Sequence, residues 1–265
     1  MSEKVTIITV VLNAERTIER ALRSVLDQTY NNYEYIIIDG GSTDGTLEKI
    51  IEYKSLFDGK GISFRYVSGK DSGIYDAMNK GISLLSDEAS WINFLNSDDY
   101  YADADVLKDL FAGNIDDQVD AIYGDSIILR ENGQLYVKKA SAIESLNYKC
   151  AFVHQALFVR DSVIRNYPFS MKWRLASDYE QWVRMYIDGV VFRRIDRAVV
   201  VFDSSGTSGK AFKKYVGEML TIQSDYKLIN KYKVRRFIRS RLIPCIKENK
   251  MVYYLYASSK RFGRS

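Results

Sequence analysis

The sequence predicts an α/β fold: a mostly parallel sheet flanked by helices, followed by a basic helical extension at the C-terminal end. Three observations lead there. Apolar runs of strand length alternate with helix-period segments over the first hundred residues. Acidic or glycine-containing loops follow those strand-like runs. Charge is divided unevenly. The 265 residues carry +4 overall, yet Tyr226 to Ser265 hold twelve Lys or Arg against the single acid Glu248, and this +11 leaves −7 for the remainder.

Taken in order, residues 5–12 form an apolar run expected to be a buried strand, and residues 14–28 place Ile18, Ala21, Leu22, Val25 and Leu26 on one helical face. Residues 35–38 form a second strand ending in the turn-rich loop Asp39 to Gly45, before a helix near 46–57. Residues 62–67, 74–85 and 91–95 continue the pattern as strand, helix and strand. Such repetition implies parallel strands covered on both faces by helices. Beyond residue 115 the alternation loosens. Residues 121–123 and 135–137 bracket a turn at Glu131-Asn132-Gly133, residues 152–159 form an apolar run, and a helix is expected over 177–187. Two short strands are expected at 190–195 and 198–202. A small-residue segment follows at 204–209, with helical material from about 210.

The composition narrows the class. A hydrophobic share of 46% supports a sizeable core. Two cysteines, Cys150 and Cys245, provide no disulfide framework, which points to a reducing compartment. There is neither a signal-peptide pattern nor an apolar run near the roughly 20 residues that span a bilayer. The expectation is a soluble, cytoplasmic protein.

Ligands of parallel sheets lie beyond the carboxyl ends of the strands, where Asp39, the loop Ser68 to Gly73, and Asp98 all fall. Asp98 and Asp99 are adjacent like charges, which repel unless a cation or donor offsets them. Carboxylates are hard ligands suited to Mg²⁺ or Mn²⁺, although acids also favour the start of a helix. Asp39 can accept from a ring N–H or a ribose hydroxyl beside glycines that admit a ligand closely. The same loop also reads as a turn capping the next helix. Lys70 and Lys80 suit phosphates, Asp71 and Asp76 suit hydroxyls, and Asn79 offers both donor and acceptor. The alternative is an amphipathic helix. Neither GxGxxG nor a P-loop occurs. His154, the single histidine, precedes Gln155 in an apolar run. Trp173 and Trp182 are candidates to stack on a sugar, or are core.

Together "TIITVVLNAERTIERALRSVLDQTY", "EYIIIDGGSTDGT", "DSGIYDAMNKGI" and "FLNSDDYY" resemble the family 2 glycosyltransferases, of GT-A fold, and within them the bacterial exopolysaccharide and colanic-acid type. The likeness is dense over 4–113 and thin to about 205. It implies a GT-A domain over 1–205, with a nucleotide-sugar half (1–113) and an acceptor half (114–205); the charge pattern adds a helical basic tail over 210–265. The resemblance also implies a UDP-sugar donor, a divalent cation (Mn²⁺ or Mg²⁺) and inversion at the anomeric carbon. By resemblance, Asp39 holds the uracil, Thr9 and Asn13 lie in the loop touching the nucleoside, and Asp71 lies near base or ribose. Asp76, Asn79, Lys80 and Asn96 complete the donor set. Asp98 matches the metal-binding acid of DxD, with Asp99 beside it, and Asn96 stands where that motif has its first acid. "RLASDYEQW" resembles the ED motif, with Ser177 in place of its glutamate. It makes Asp178 the general base and Glu180 its rival. His154, Gln155 and Trp182 are candidates for contacts to acceptor or diphosphate.

The tail from Lys231 interleaves basic and apolar residues at helical spacing, suited to an anionic lipid surface. No nucleic-acid motif accompanies it. The expected partner is a polyprenyl-diphosphate-linked glycan acceptor at the inner face of the plasma membrane. Nucleotidyl transfer onto a sugar phosphate, or a non-catalytic nucleotide-sugar-binding protein, are the alternatives.

Overall fold

The computed structural model describes residues 3–204 and 211–228. The small-residue stretch at 204–209 lies almost wholly outside these residues, as does the basic segment from 229. The N-terminal alternation is present as β1 (Val5–Val11), α1 (Ile18–Leu26), β2 (Tyr33–Asp39), α2 (Thr46–Gly59), β3 (Ser63–Ser68), α3 (Ile74–Ser83) and β4 (Trp91–Phe94). Strands β1 and β2 are buried at every position, as expected of parallel strands covered on both faces. Helix α1 buries Ile18, Ala21, Leu22 and Val25, the stripe its sequence presents.

Next come β5 (Tyr100–Tyr101), α4 (Val106–Phe111), β6 (Ala121–Leu129), β7 (Leu135–Lys138), β8 (Leu157–Arg160), α5 (Asp161–Ile164), α6 (Ser177–Ile187), β9 (Phe192–Asp203) and α7 (Phe212–Asp225). One sheet runs in the order β3-β2-β1-β4-β8-β6-β9-β5, with β7 pairing β6. β1 to β4 are mutually parallel. β8 is antiparallel to both β4 and β6, and β9 runs parallel to β6. Six of the nine strands among the described residues therefore point one way, and the mostly parallel sheet is as expected.

Strand β4 divides the core by its pleat. On one side Trp91 packs on Phe111 of α4, which in turn meets Phe158 of β8. Phe94 faces the other side, against His154 and Phe169. Helix α3 lies close on the sheet because position 81 is glycine, where a Cβ would stand 2.7 Å from Ile8 Cγ2.

Two local expectations are corrected. The apolar run 152–159 is not one strand. His154 to Ala156 form a 3₁₀ turn before β8, pinned by Asn93, whose amide donates to the carbonyls of Gln155 (3.0 Å) and Leu157 (2.8 Å). The two strands expected at 190–202 are the single strand β9, whose register against β6 shifts opposite Gly124. An irregularity of that kind bends a strand without ending it. Neither β5 nor α4 stood out in the sequence, because two residues and six residues are too short for periodicity to register.

One compact unit comprises residues 1–146 and 150–219, so the first turns of α7 belong to it although the helical tail was expected from 210. A second unit groups Asn147–Lys149 with residues from Leu220 onward, of which the structure describes the end of α7. No described helix is long and apolar enough to cross a membrane.

Candidate active site

Three loops after β1, β2 and β3 are tied to each other. Asn13, in the left-handed region at φ 50°, accepts from the Thr43 backbone N–H (2.8 Å), and its own N–H donates to Ser42 Oγ (2.8 Å). Asp39 is fully buried at the end of β2 and accepts from Ser42 N–H, from Ser42 Oγ (2.5 Å) and from Ser68 Oγ (2.6 Å). The Asp71 carboxylate lies so near Gly40 that a Cβ there would meet its Oδ2 at 2.5 Å. Its Oδ1 accepts from Gly73 N–H. Asp76 accepts from Ser72 N–H and pairs with Lys80, which also donates to the Lys70 carbonyl. Asp76 and Lys80 thus build the loop that carries Asp71, while Lys70 is exposed.

Two of the nucleotide-side residues are placed elsewhere. Thr9 is not in a loop: it is fully buried inside β1, donating to the Leu95 carbonyl (2.6 Å) and bonded to Tyr35 Oη. Asn79 faces the other half of the chain, where its amide donates to the Phe169 carbonyl (2.9 Å) and accepts from Phe169 N–H (2.8 Å). That reciprocal clamp ties α3 to the segment before α6.

The adjacent acids separate by direction. Asp99 turns inward, 1% exposed, and accepts from Gln155 Nε2 and from Asp203 N–H (2.9 Å). Burial holds its carboxyl well above the usual carboxylate range. With a donor on each oxygen, Asp99 anchors the loop. Asp98 is half-buried, and burial raises its carboxyl, aided by the nearby Asp203 charge. Arg20 pairs with Asp203 (3.1 Å) and reaches the Asp98 carbonyl (3.4 Å). The Asn96 Oδ1 is buried without a partner. Among the described residues no three His, Cys, Asp or Glu side chains gather into a metal cage.

Asp178 occupies the second position of α6 and accepts from Tyr75 Oη (3.1 Å) and Tyr179 N–H (2.8 Å). Desolvation pushes its carboxyl up from 3.8 to about 6. Its rival Glu180 is 4% exposed and pairs with Arg184 at 3.0 Å, so its charge is already matched. Tyr75 belongs to α3, which follows the Asp71 loop, and it also donates to the Leu175 carbonyl (2.8 Å). One phenol therefore joins the donor-side helix to the Asp178 turn.

Behind Asp178 lies an aromatic stack. Trp182, one turn along α6, is 1% exposed between Phe152 (4.6 Å) and His154 (6.0 Å), so it is core and offers no face to a sugar; Trp173 is 8% exposed. His154 is pushed down to about 4 by burial and is therefore neutral at physiological pH. Gln155 holds Asp99 and faces no open surface. The sequence reading missed Tyr75, Arg20 and Glu218. Tyr75 lay inside a quoted motif, whereas Glu218 carried no local signal.

Residues 6–179 match the family model for glycosyl transferase family 2. The chain belongs to this family. It is 30% identical over 197 residues, 73% of itself and 74% of the relative, to a PGL/p-HBAD biosynthesis glycosyltransferase of Mycobacterium tuberculosis. It is 29% identical over 188 residues, 69% of itself and 70% of the relative, to the UDP-Glc:α-D-GlcNAc-diphosphoundecaprenol β-1,3-glucosyltransferase WfgD of Escherichia coli. Among solved structures it is similar to S. aureus TarS 1–349 in complex with UDP-GlcNAc, with TM-score 0.64 and 18% identity over 90% of this chain and 74% of that one. That likeness is one of fold, and the fold is GT-A. As a family 2 glycosyltransferase the chain is an enzyme, and the nucleotidyl-transfer alternative falls away.

Proposed function

We propose that this family 2 glycosyltransferase moves a sugar, with inversion, from a UDP-sugar to the hydroxyl of a lipid-diphosphate-linked glycan. The carrying observation is the Tyr75–Asp178 bond of 3.1 Å, which holds a carboxylate of raised basicity against the helix that follows the Asp71 loop. A base with a value near 6 is ionised at neutral pH yet a better proton acceptor than an ordinary aspartate.

In the reaction the acceptor oxygen bonds to C1 of the sugar, its proton passes to Asp178, and the bond from C1 to the diphosphate oxygen breaks. Direct displacement of this kind inverts the centre without a glycosyl-enzyme. The nucleotide lies over Gly40, Gly41 and Asp71. Asp39 and Asn13 set the shape of that cradle, because their acceptor oxygens are engaged by Ser42, Ser68 and Thr43.

The donor set suits Mn²⁺ or Mg²⁺. The Asp98 carboxylate takes no bond from another described side chain, and the Asn96 Oδ1 is a buried oxygen without a donor. One or two carboxylates plus substrate phosphates are a usual set for such ions. Bound there, the cation would offset the charge of the leaving diphosphate. Support for the donor and acceptor comes from the UDP-GlcNAc complex of TarS and from the diphosphoundecaprenol acceptor named for the E. coli relative. The basic tail suits the membrane face at which such an acceptor is presented.

Two variants test the reading. Asp98→Ala is expected to lose Mn²⁺-dependent turnover of UDP-sugars, and near-normal transfer by it would refute the cation site. Asp178→Asn is expected to keep the donor-induced rise in melting temperature while losing transfer by about 10²-fold or more. Loss of donor binding as well would reduce Asp178 to a structural residue.

A further inference from the structure

The turn that delivers Asp178 is not capped by its own sequence. The N-cap of α6 is Ala176, which has no side chain to accept from the first helical amides. The turn that precedes the helix is held instead by a side chain 42 residues beyond Ala176. The Glu218 carboxylate on α7 takes the backbone N–H groups of Leu175 (2.9 Å) and Ala176 (3.0 Å) through Oε2, and that of Arg174 (3.3 Å) through Oε1. The same turn is held from the opposite side by Tyr75, which donates to the Leu175 carbonyl (2.8 Å) and to Asp178. A second residue of α7, Tyr215, bonds Cys150 Sγ at 2.7 Å.

Three N–H groups converging on one carboxylate fix the turn's position and orientation. An anion at the start of α6 also matches the helix dipole. Neither effect requires Glu218 to touch a substrate. From this geometry we infer that Glu218 is the positioning residue for the general base: it holds residues 174–176 so that the Asp178 carboxylate meets the acceptor hydroxyl. The inference rests on the assignment of Asp178 as base. It makes the middle of α7 part of the catalytic machinery.

The groups facing Asp178 from neighbouring elements are Tyr75 on α3 and, on α7, Tyr215 and Glu218. Glu218 is the one negative charge among them, and it adds a small share to the rise in the Asp178 carboxyl that desolvation dominates. Neutralising it has a defined consequence. The acid limb of the kcat–pH profile should move to lower pH, because the Asp178 anion loses a repulsive neighbour.

The experiment compares the full-length wild type, Glu218→Ala, Glu218→Gln and Asp178→Asn, measuring transfer from UDP-sugar across pH 5–9 and melting temperature with and without donor. Glu218→Ala is expected to lower kcat roughly 10- to 100-fold, as a displaced catalytic group does, with the donor KM unchanged. Glu218→Gln keeps an acceptor oxygen. It should recover much of kcat while retaining the shifted acid limb, a readout that loss of packing alone would not move. A kcat within about two-fold of wild type for Glu218→Ala, or an unshifted profile for Glu218→Gln, overturns the inference. If Glu218→Ala does not fold, Glu218→Gln decides alone. Should Asp178→Asn transfer at the wild-type rate, the base assignment fails, and the inference falls with it for a distinguishable reason.

Discussion

Asp178 illustrates a conflict between stability and chemistry within a single carboxyl. Its value rises from 3.8 to about 6 because folding removes it from water. Between those two values the folded chain holds a proton that the unfolded chain has released, so stability falls as pH rises through this window and stays lowered above it. The cost has a ceiling of about 3 kcal/mol at 1.36 kcal/mol for each pKa unit. Asp178→Asn retains an oxygen for Tyr75 and Tyr179, and is therefore expected to be more stable than wild type by roughly 1–3 kcal/mol at pH 8, with the gain shrinking toward pH 4. Urea unfolding at the two pH values checks this, and an equal difference at both would contradict it. In the wild-type enzyme, log kcat should climb with unit slope up to about pH 6. The acids themselves were legible in the sequence, but their directions were not. Asp98 and Asp99 are neighbours in the chain, yet Asp99 turns inward to Gln155 and Asp203 N–H, partners separated from it by 56 and 104 residues.

Elements with strong periodicity were legible because burial on one face or both leaves a pattern. Helix α1 and the wholly buried β1 and β2 are of this kind. Even the limits of α6, Ser177 to Ile187, coincide with those the sequence suggested. The clamp on the turn before it was invisible, since the acceptor is on α7. The 3₁₀ turn at His154 was likewise hidden, being imposed by Asn93 from another strand. The seating of α3 gives a prediction at this scale. Gly81→Ala places a methyl 2.7 Å from Ile8 Cγ2, and Ile8 is fully buried. Overpacking should destabilise the fold by about 1–3 kcal/mol even though alanine favours the helix. A chemical denaturation midpoint equal to wild type would show that α3 lifts without cost. Because α3 carries Tyr75, a shifted helix should also weaken transfer.

Across the molecule, the parallel strands β1, β2 and β3 end in loops that fasten to one another, through Asn13 to Thr43, Asp39 to Ser68, and Asp71 against Gly40. Helix α6 carries Asp178, the proposed base, and Trp182 of the aromatic stack. Charge is divided at the same scale, acidic up to residue 225 and basic beyond. We expect a chain lacking residues 229–265 to keep its melting temperature and its turnover of a water-soluble acceptor, and to lose binding to vesicles containing anionic lipid. Co-sedimentation reads the second effect, and undiminished vesicle binding would remove the tail from the account.

The sequence by itself determined the strand–helix alternation, the loops at the strand ends and the family, because these depend on local periodicity and short motifs. Only the tertiary structure decided which way Asp98 and Asp99 turn, which side chain clamps the turn before Asp178, that Thr9 and Trp182 are buried, and that Asn79 ties α3 to Phe169. Those outcomes are set by hydrogen-bond partners and burial contributed from distant parts of the chain, and no window of sequence contains both members of such a pair.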